Sequence, residues 1–454
     1  MSRTPSWFRT ILPSPGHAAV GATVAGTVLT GLAAAPERMG RLFRRRFPVV
    51  AVTGMTGVGK SQLADRLTRR ASGDGGAEAG SAVMERRTRR SARMQGFRFR
   101  VVPGDNAATR LARALADNSA IVEREIEGLG ELEAQRALFF LLSAYDLATE
   151  MWFQKGDPAA PVLTNWERPW RKYGGDNPTT IYLSAPISPA MTYRLQGPIG
   201  DAVYAGVQVY TRGAGYNAPS ANISDRRLLG DGRDIDLLIG GDDPGDGRPW
   251  LPLVADDFLV MVRLYHEHAP ESEAALSITR TGGADPAPMS WSQRADRAEE
   301  YFRDEIQCTI SVTETLRSAG INAYPPPDAP VHQPRYTGAL FPTLDNVYDG
   351  FYVQLESGAA LRLRGRPPQA RFWSFVFYDR WFNTPDFPAH RCYLTGADIV
   401  LDDDGGYEVI LGPDDPGHPN WIDTAGLRDG IFAIRCLLPE QRELPTAEVI
   451  TAGR

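Results

Sequence analysis

Two groups of residues have the types and spacing that chemistry requires, and they lie far apart in the chain. In the stretch "VTGMTGVGKS" (52–61), Gly54, Gly57, Gly59, Lys60 and Ser61 follow the phosphate-binding loop pattern. In such a loop glycines let backbone N–H groups close on a phosphate, the lysine supplies charge and the serine hydroxyl reaches magnesium. Much later, Trp373, Tyr378, Asp379, Arg380, Trp381, Asn383, His390 and Arg391 crowd into one short stretch. Aromatic faces beside arginine and histidine could line a pocket for a small anionic or sugar-like ligand, with the guanidinium giving paired hydrogen bonds. The same residues also read as packing, with Trp and Tyr on strands and Asp379 and Arg380 closing a turn.

Smaller groupings are weaker. His266 and His268 bracket Glu267 in "YHEHA", and on a strand the two histidines would share a face as a metal pair. No third ligand is evident, so they read as an exposed strand end and no metal is expected. Asp242 with Asp243, and Asp414 with Asp415, form carboxylate pairs in two copies of "DDPG". Just before Pro-Gly, an aspartate ordinarily opens a turn. The chain has no Gly-x-Ser-x-Gly elbow, no His-Glu-x-x-His helix and no Cys–His pairing, so no catalytic residue is assigned.

The phosphate loop has the setting it needs and lacks its partners. "FPVVAVT" (47–53) reads as a buried strand and "SQLADRLTRR" (61–70) as a helix, which is the strand–loop–helix context of such loops. The strand "GFRFRVVPGD" (96–105) resembles the second phosphate-sensing strand of a small GTPase, yet Val101 stands where the magnesium-binding aspartate belongs, and the acid is missing or displaced to Asp105. No Asn-Lys-x-Asp guanine-reading motif occurs. The expectation is a vestigial head that holds GTP or ATP with magnesium weakly, if at all, and turns over slowly.

The elements that must position the later residues emerge from an internal repeat. "YRLQGPIGDAVYAGVQVY" (193–210) aligns without a gap to "LRLRGRPPQARFWSFVFY" (361–378). "IGGDDPGDGRPW" (239–250) pairs with "LGPDDPGHPNW" (411–421), and "DDFLVMVRLYHE" (256–267) with "RDGIFAIRCLLPE" (428–440). Three matched blocks in one order at a nearly constant displacement mean a duplicated module. Short runs rich in Val, Tyr, Phe and Trp, separated by Gly, Pro and Asp turns, read as antiparallel strands that pack as β-sandwiches. In "DIVLDDDGGYEVILG" (398–412), Asp404, Gly405 and Gly406 would turn one strand into another. Residues 107–155 and 291–320 are helical in pattern, and "YPPPDAP" (324–330) reads as a rigid linker.

The expected fold is thus α+β, with two repeated antiparallel β-sandwich or jelly-roll-like units carrying helical insertions, preceded by a partial P-loop α/β segment. The boundaries are 1–46 for an apolar and basic segment, 47–110 for the partial P-loop segment and 111–180 for a helical lead-in. The first β unit is 181–289, a helical connector with its Pro linker is 290–330, and the second β unit is 331–454.

Composition bounds the function. The chain has 454 residues, 43% hydrophobic and 23% charged, enough for two to three globular domains. A net charge of −6 argues against nucleic-acid binding, and the basic "RRTRRSAR" (86–93) reads as a solvated loop. Cys308, Cys392 and Cys436 are too few and scattered for a disulfide framework, which suits a reducing compartment. The uncharged run 17–35 is about long enough to cross a bilayer but is rich in alanine, glycine and threonine. The arginines at 38, 41 and 44–46 hold that flank in the cytosol. A cytoplasmic protein is expected, with a weak case for membrane association through 17–35.

"KYGGDNPTTIYLSAPI", "ARFWSFVFYDRWFNTPDFPAHR" and "DDPGHPNWIDTAG" resemble signature stretches of the family known as domain of unknown function 1214, often joined to its companion family 1254. The resemblance runs from about residue 110 to 440. It implies a β-sandwich or jelly-roll-like arrangement with inserted helices and little defined chemistry. The phosphate loop departs from that family's pattern, so the chain resembles a truncated GTPase-like head fused to a complete family module. The function expected is a small-ligand-binding or structural β-sandwich protein, the alternative being a phosphate-handling hydrolase or nucleotide-binding enzyme.

Overall fold

The matched sequence blocks become matched strands. The computed structural model describes residues 106–168, 170–212, 217–285, 288–332 and 341–451. The phosphate loop, its flanking elements, the basic 86–93 segment and the apolar run 17–35 lie outside these residues. The chain divides into two units, Met1–Leu129 and Gly130–Arg454. Of the first, the described part is helix α1 (Ala107–Glu125) and the turn after it. The Asn106 side chain caps α1 by accepting the Thr109 amide at 3.0 Å, satisfying one of the N–H groups that a helix start leaves open.

The second unit begins with α2 (Glu131–Ala148), which runs on into a π-helical turn at Thr149–Gln154. α2 falls within the stretch expected to be helical, with Phe140, Leu141, Ala144, Leu147 and Ala148 buried. Strands β1 (Thr164–Asn165), β2 (Thr180–Pro186), β3 (Met191–Pro198), β4 (Tyr204–Arg212) and β5 (Asn217–Ser224) follow. After the short helix α3 (Asp225–Leu229) come β6 (Asp234–Ile239), β7 (Trp250–Leu251), β8 (Asp257–Tyr265) and β9 (Ser277–Gly283). Helix α4 (Trp291–Ala319) connects to the second copy, and its start carries a capping box in which Ser290 and Gln293 satisfy each other's amides. The second copy holds β10 (Asn346–Gln354), β11 (Ala359–Gly365), β12 (Phe372–Tyr378), β13 (Tyr393–Thr395), β14 (Tyr407–Gly412), β15 (Trp421–Asp423), β16 (Asp429–Leu437) and β17 (Thr446–Thr451). Among the described residues no helix is long and apolar enough to cross a membrane.

Each copy is a pair of sheets with one strand order. The inner sheets run β1-β2-β8-β4-β5 and β10-β16-β12-β13, and the outer sheets β7-β6-β3-β9 and β15-β14-β11-β17. Register repeats as well. Tyr193 faces Ile239 as Leu361 faces Leu411, and Tyr182 faces Arg263 as Tyr348 faces Arg435. Both "DDPG" turns are closed by their second aspartate, Asp243 and Asp415, which accept the Gly245 and Gly417 amides at 2.8 Å each. The tryptophans that follow, Trp250 and Trp421, donate their indole N–H to Gly240 and Gly412 at 3.2 and 3.1 Å. The aspartate pairs therefore serve turns in both copies.

Burial separates the two kinds of sheet. Outer strands alternate, as β3 and β6 show, because one face meets the sandwich core and the other meets solvent. Inner strands β2 and β12 are buried at every position, and β8 at all but one. One inner face fills the sandwich core, with Leu195, Val207, Leu237 and Val262 in the first copy and Leu363, Phe375, Val409 and Phe432 in the second. The other face is covered too. Val312 and Leu316 of α4 pack on Tyr352, Val376, Tyr378 and Ile431, and Tyr204 and Tyr265 of the first copy meet Phe372 and Leu437 of the second.

Two local expectations are corrected. The stretch before Asp404 is not a strand. The Asn420 side chain accepts the Val400 amide at 2.8 Å and donates to the Val400 carbonyl at 2.7 Å, so a side chain takes the place of a β-ladder there. His266 and His268 lie at the strand end expected, just past β8, but only His268 is exposed. His266 is buried against the exposed Asp201, with Nε2 3.3 Å from that carboxylate, whereas the exposed His268 turns to Asp398 at 3.6 Å. Among the described residues no group of three His, Cys, Asp or Glu gathers in metal-binding geometry.

Candidate functional site

Where the covered faces of the two inner sheets and α4 meet, a cavity of about 500 Å³ remains, within the range of small-molecule sites. Its wall is built from both copies of the repeat. β2 and β8 contribute Tyr182, Met261 and Arg263, while β10 and β16 contribute Tyr348, Ile431, Ala433 and Arg435. α4 adds Val312 and Leu316, and the segments around Trp166 and Phe341 add aromatic rings.

The duplication places an arginine between two tyrosines in each copy. The Arg263 guanidinium carbon lies 5.6 Å from the Tyr182 ring centre and 5.8 Å from that of Tyr210. That of Arg435 lies 5.8 Å from Tyr348 and 5.9 Å from Tyr378. These are cation–π distances, each stabilising by roughly 0.5–2 kcal/mol depending on desolvation. Both arginines are buried, and among the described residues neither has a carboxylate within ion-pair distance.

The two stations differ in how far the protein satisfies them. Arg435 donates through Nη1 to the Tyr182 hydroxyl at 2.8 Å, and through Nη2 to the Tyr378 hydroxyl at 2.6 Å and to the Gly175 carbonyl. It acts as a strut between the copies. Arg263 donates through Nη2 to the Phe341 carbonyl and hydrogen-bonds the Tyr210 hydroxyl. Among the described residues its buried Nε has no partner. Phe341 is held at φ 53, a conformation that costs a non-glycine residue of order 1–3 kcal/mol. Its carbonyl also accepts the Tyr210 hydroxyl at 2.9 Å.

One end of the wall is shaped by the loop 172–177. Buried Lys172 donates to the Thr384 hydroxyl at 2.8 Å and to the Thr384 and Pro385 carbonyls, while Asp176 accepts the Thr384 amide at 2.7 Å. Gly175 sits at φ 79, and a Cβ there would stand 3.1 Å from the Phe382 ring and 3.5 Å from Arg435 Nη2. Only glycine combines that backbone with that approach. Glu167 lines the cavity. Burial first, and Asp176 behind it, push its carboxyl well above the ordinary carboxylate value, against the opposing Asn177 amide, Arg435 and Lys172. Beside the loop, Glu305 of α4 accepts the Gly174 amide at 3.3 Å and the Thr309 hydroxyl at 3.2 Å. Burial pushes it up to about 7. An Asp349–Arg442 ion pair stands elsewhere in the wall.

The residues singled out in the sequence do not converge. Trp373 packs inside the second sandwich, stacked on Tyr407 at 5.6 Å. Tyr378 faces the other way and meets the site through its hydroxyl on Arg435. Asp379 closes a turn by accepting the Trp381 and Asn383 amides at 2.9 and 3.1 Å, with Arg136 of α2 at 3.5 Å, and burial pushes its carboxyl up to about 7. The carbonyl of Arg380 accepts the Thr313 hydroxyl, Trp381 stacks on Phe140 at 5.4 Å, and Asn383 is buried. His390 pairs with Asp423 at 2.7 Å, and Arg391 donates to the Pro419 carbonyl at 2.8 Å. The residues that do converge, Arg263, Arg435, Tyr182, Tyr348 and Glu167, were not singled out. Their signal was present, since Arg263 and Arg435 occupy one position of the repeat in otherwise apolar strands.

Comparison with known proteins agrees with the fold and is silent on chemistry. Residues 343–441 match a family described as a protein of unknown function, DUF1214. No curated protein matches. Among solved structures, the chain is similar to an uncharacterised protein from Burkholderia cenocepacia, with a TM-score of 0.67 and 21% identity over 76% of this chain and 99% of that one. A weaker likeness is to the VPA0106 protein from Vibrio parahaemolyticus, with a TM-score of 0.42 and 13% identity over 68% of this chain and 96% of that one.

Proposed function

We propose that this protein binds a small organic anion with an apolar or aromatic body in the cavity between its two β-sandwich copies. The observation that carries this reading is Arg263, a buried guanidinium at the cavity wall that, among the described residues, has no carboxylate partner and leaves its Nε without a hydrogen bond. A buried cation without a counter-charge costs several kcal/mol after relaxation, and tyrosine faces offset only part of that. A ligand carboxylate at this guanidinium would supply the missing charge through a charge-assisted hydrogen bond. Tyr182, Tyr348, Phe341 and Met261 suit a flat apolar body.

The test is calorimetric titration with benzoate, and with benzyl alcohol as its uncharged counterpart. Benzoate is expected to bind and benzyl alcohol to bind at least about tenfold more weakly, since charge-assisted hydrogen bonds are worth about 1.5–3 kcal/mol. Arg263→Met is expected to abolish the difference. Equal affinity of both probes, or unchanged benzoate binding by the variant, refutes the reading.

A second reading rests on the sequence pattern of Gly54, Gly57, Gly59, Lys60 and Ser61. This segment is proposed to bind GTP or ATP with magnesium weakly, because the acidic partner for the metal is missing or displaced to Asp105. Fluorescent nucleotide titration with and without magnesium tests it, and Lys60→Ala should remove whatever binding is seen. A magnesium-dependent turnover in the ordinary enzyme range, lost in that variant, would replace it with an NTPase.

A further inference from the structure

Resting on the cavity reading above, the site has a second pole. Glu167 lines the same cavity as Arg263, and its two carboxyl oxygens are used differently. Oε2 accepts the Asn177 amide at 3.0 Å, whereas Oε1 makes no hydrogen bond among the described residues. An oxygen that accepts an N–H is the carbonyl-like one, so a proton on this carboxyl resides on Oε1. Oε1 is also the oxygen left for the ligand. We propose that Glu167 is the specificity-determining residue for a second group on the ligand, its Oε1 hydroxyl donating to a neutral carbonyl oxygen. The cavity then takes an aromatic or apolar monoacid carrying a keto or similar acceptor group, with the carboxylate at Arg263 and the acceptor at Glu167.

The surroundings of Glu167 favour the protonated form on balance. Asp176 opposes its ionisation, as burial does, while Lys172 on the same loop and Arg435 on β16 favour it. The tyrosines of β2 and β12 that sense its charge, Tyr182 and Tyr378, are themselves held neutral by burial. Because the folded value is raised, the donor is present below that value and is lost as pH rises through it.

The probes are benzoate and the meta and para isomers of acetylbenzoate, titrated into the whole protein at about pH 6 and about pH 9. One acetyl isomer is expected to bind the wild type about three- to tenfold more tightly than benzoate at the lower pH, the gain of one well-placed hydrogen bond. That gain should shrink at the higher pH, vanish in Glu167→Leu, and persist at both pH values in Glu167→Gln, whose amide N–H replaces the hydroxyl. If benzoate binds but neither isomer gains, or if Glu167→Leu keeps the gain, the role of Glu167 is overturned while the Arg263 site stands. Should Glu167→Leu fail to fold, the pH profile of Glu167→Gln decides alone, and a wild-type-like fall in its gain overturns the proposal. If benzoate itself does not bind, the Arg263 site falls and Glu167 falls with it.

Discussion

Replacing Glu305 by Gln should change how the stability of this protein depends on pH. Glu305 sits on α4 behind the Tyr173–Gly174 wall of the cavity. Its Oε1 accepts the Gly174 amide and the Thr309 hydroxyl, and its buried Oε2 has no partner among the described residues. Burial is the largest influence on it and raises its carboxyl from 4.5 to about 7, outweighing the nearby Tyr173 side chain and the hydrogen bonds from Gly174 and Thr309. A raised value in the folded state means that, between these limits, the folded chain keeps a proton that the unfolded chain has released. Its contribution is therefore complete below pH 4.5 and is lost as pH rises to about 7. At about 1.4 kcal/mol per pH unit the loss is on the order of 3 kcal/mol. Glutamine is neutral at every pH and keeps the acceptor oxygen, so Glu305→Gln should remove this slope. Denaturant unfolding of both proteins from about pH 4.5 to about pH 8 gives two curves, whose difference should grow in favour of the variant by about 3 kcal/mol. Parallel curves would show that Glu305 is ionised in the folded protein and refute the reasoning.

Gly175→Ala should destabilise the fold by about 1–3 kcal/mol, because alanine at positive φ is strained and its Cβ presses on Phe382; thermal unfolding checks it, and an unchanged midpoint counts against the packing described. Trp381→Ala should cost about 3–5 kcal/mol by opening a cavity against Phe140 of α2, read by the same measurement. Asp243→Ala and Asp415→Ala should each lose about 0.5–1.5 kcal/mol, the worth of one turn hydrogen bond. Because the two turns are repeats of each other, the losses should match, and a large effect from only one would mean that it does something besides closing its turn.

Much of the architecture could be read without coordinates because its causes are local. The repeated "DDPG" turns, the Ser290–Gln293 cap of α4 and the alternation of the outer strands each depend on residues within a few positions of one another. The gap-free alignment of 193–210 with 361–378 carries over into register, so that Tyr193 and Leu361 hold equivalent places. Where a long-range contact replaced a local rule, the sequence misled. Asn420 satisfies the backbone of Val400 and removes the strand expected there.

The site depended on which face of each inner strand meets what. On β12, Trp373, Phe375 and Phe377 enter the sandwich core, while Val376 and Tyr378 turn to the other side. Proximity in sequence therefore scattered the cluster around Trp373 instead of assembling it. On β16, Phe432, Ile434 and Cys436 fill the core and leave Arg435 on the opposite face. The period of two in a strand dictates that split from sequence alone. It does not say that the opposite face is buried. That was decided by α4 and by the packing of Tyr204 and Tyr265 on Phe372 and Leu437. An arginine facing solvent and one sealed against tyrosines are the same letter in a sequence. Desolvation, which leaves the second in need of a counter-charge, exists only once both sheets have closed over it.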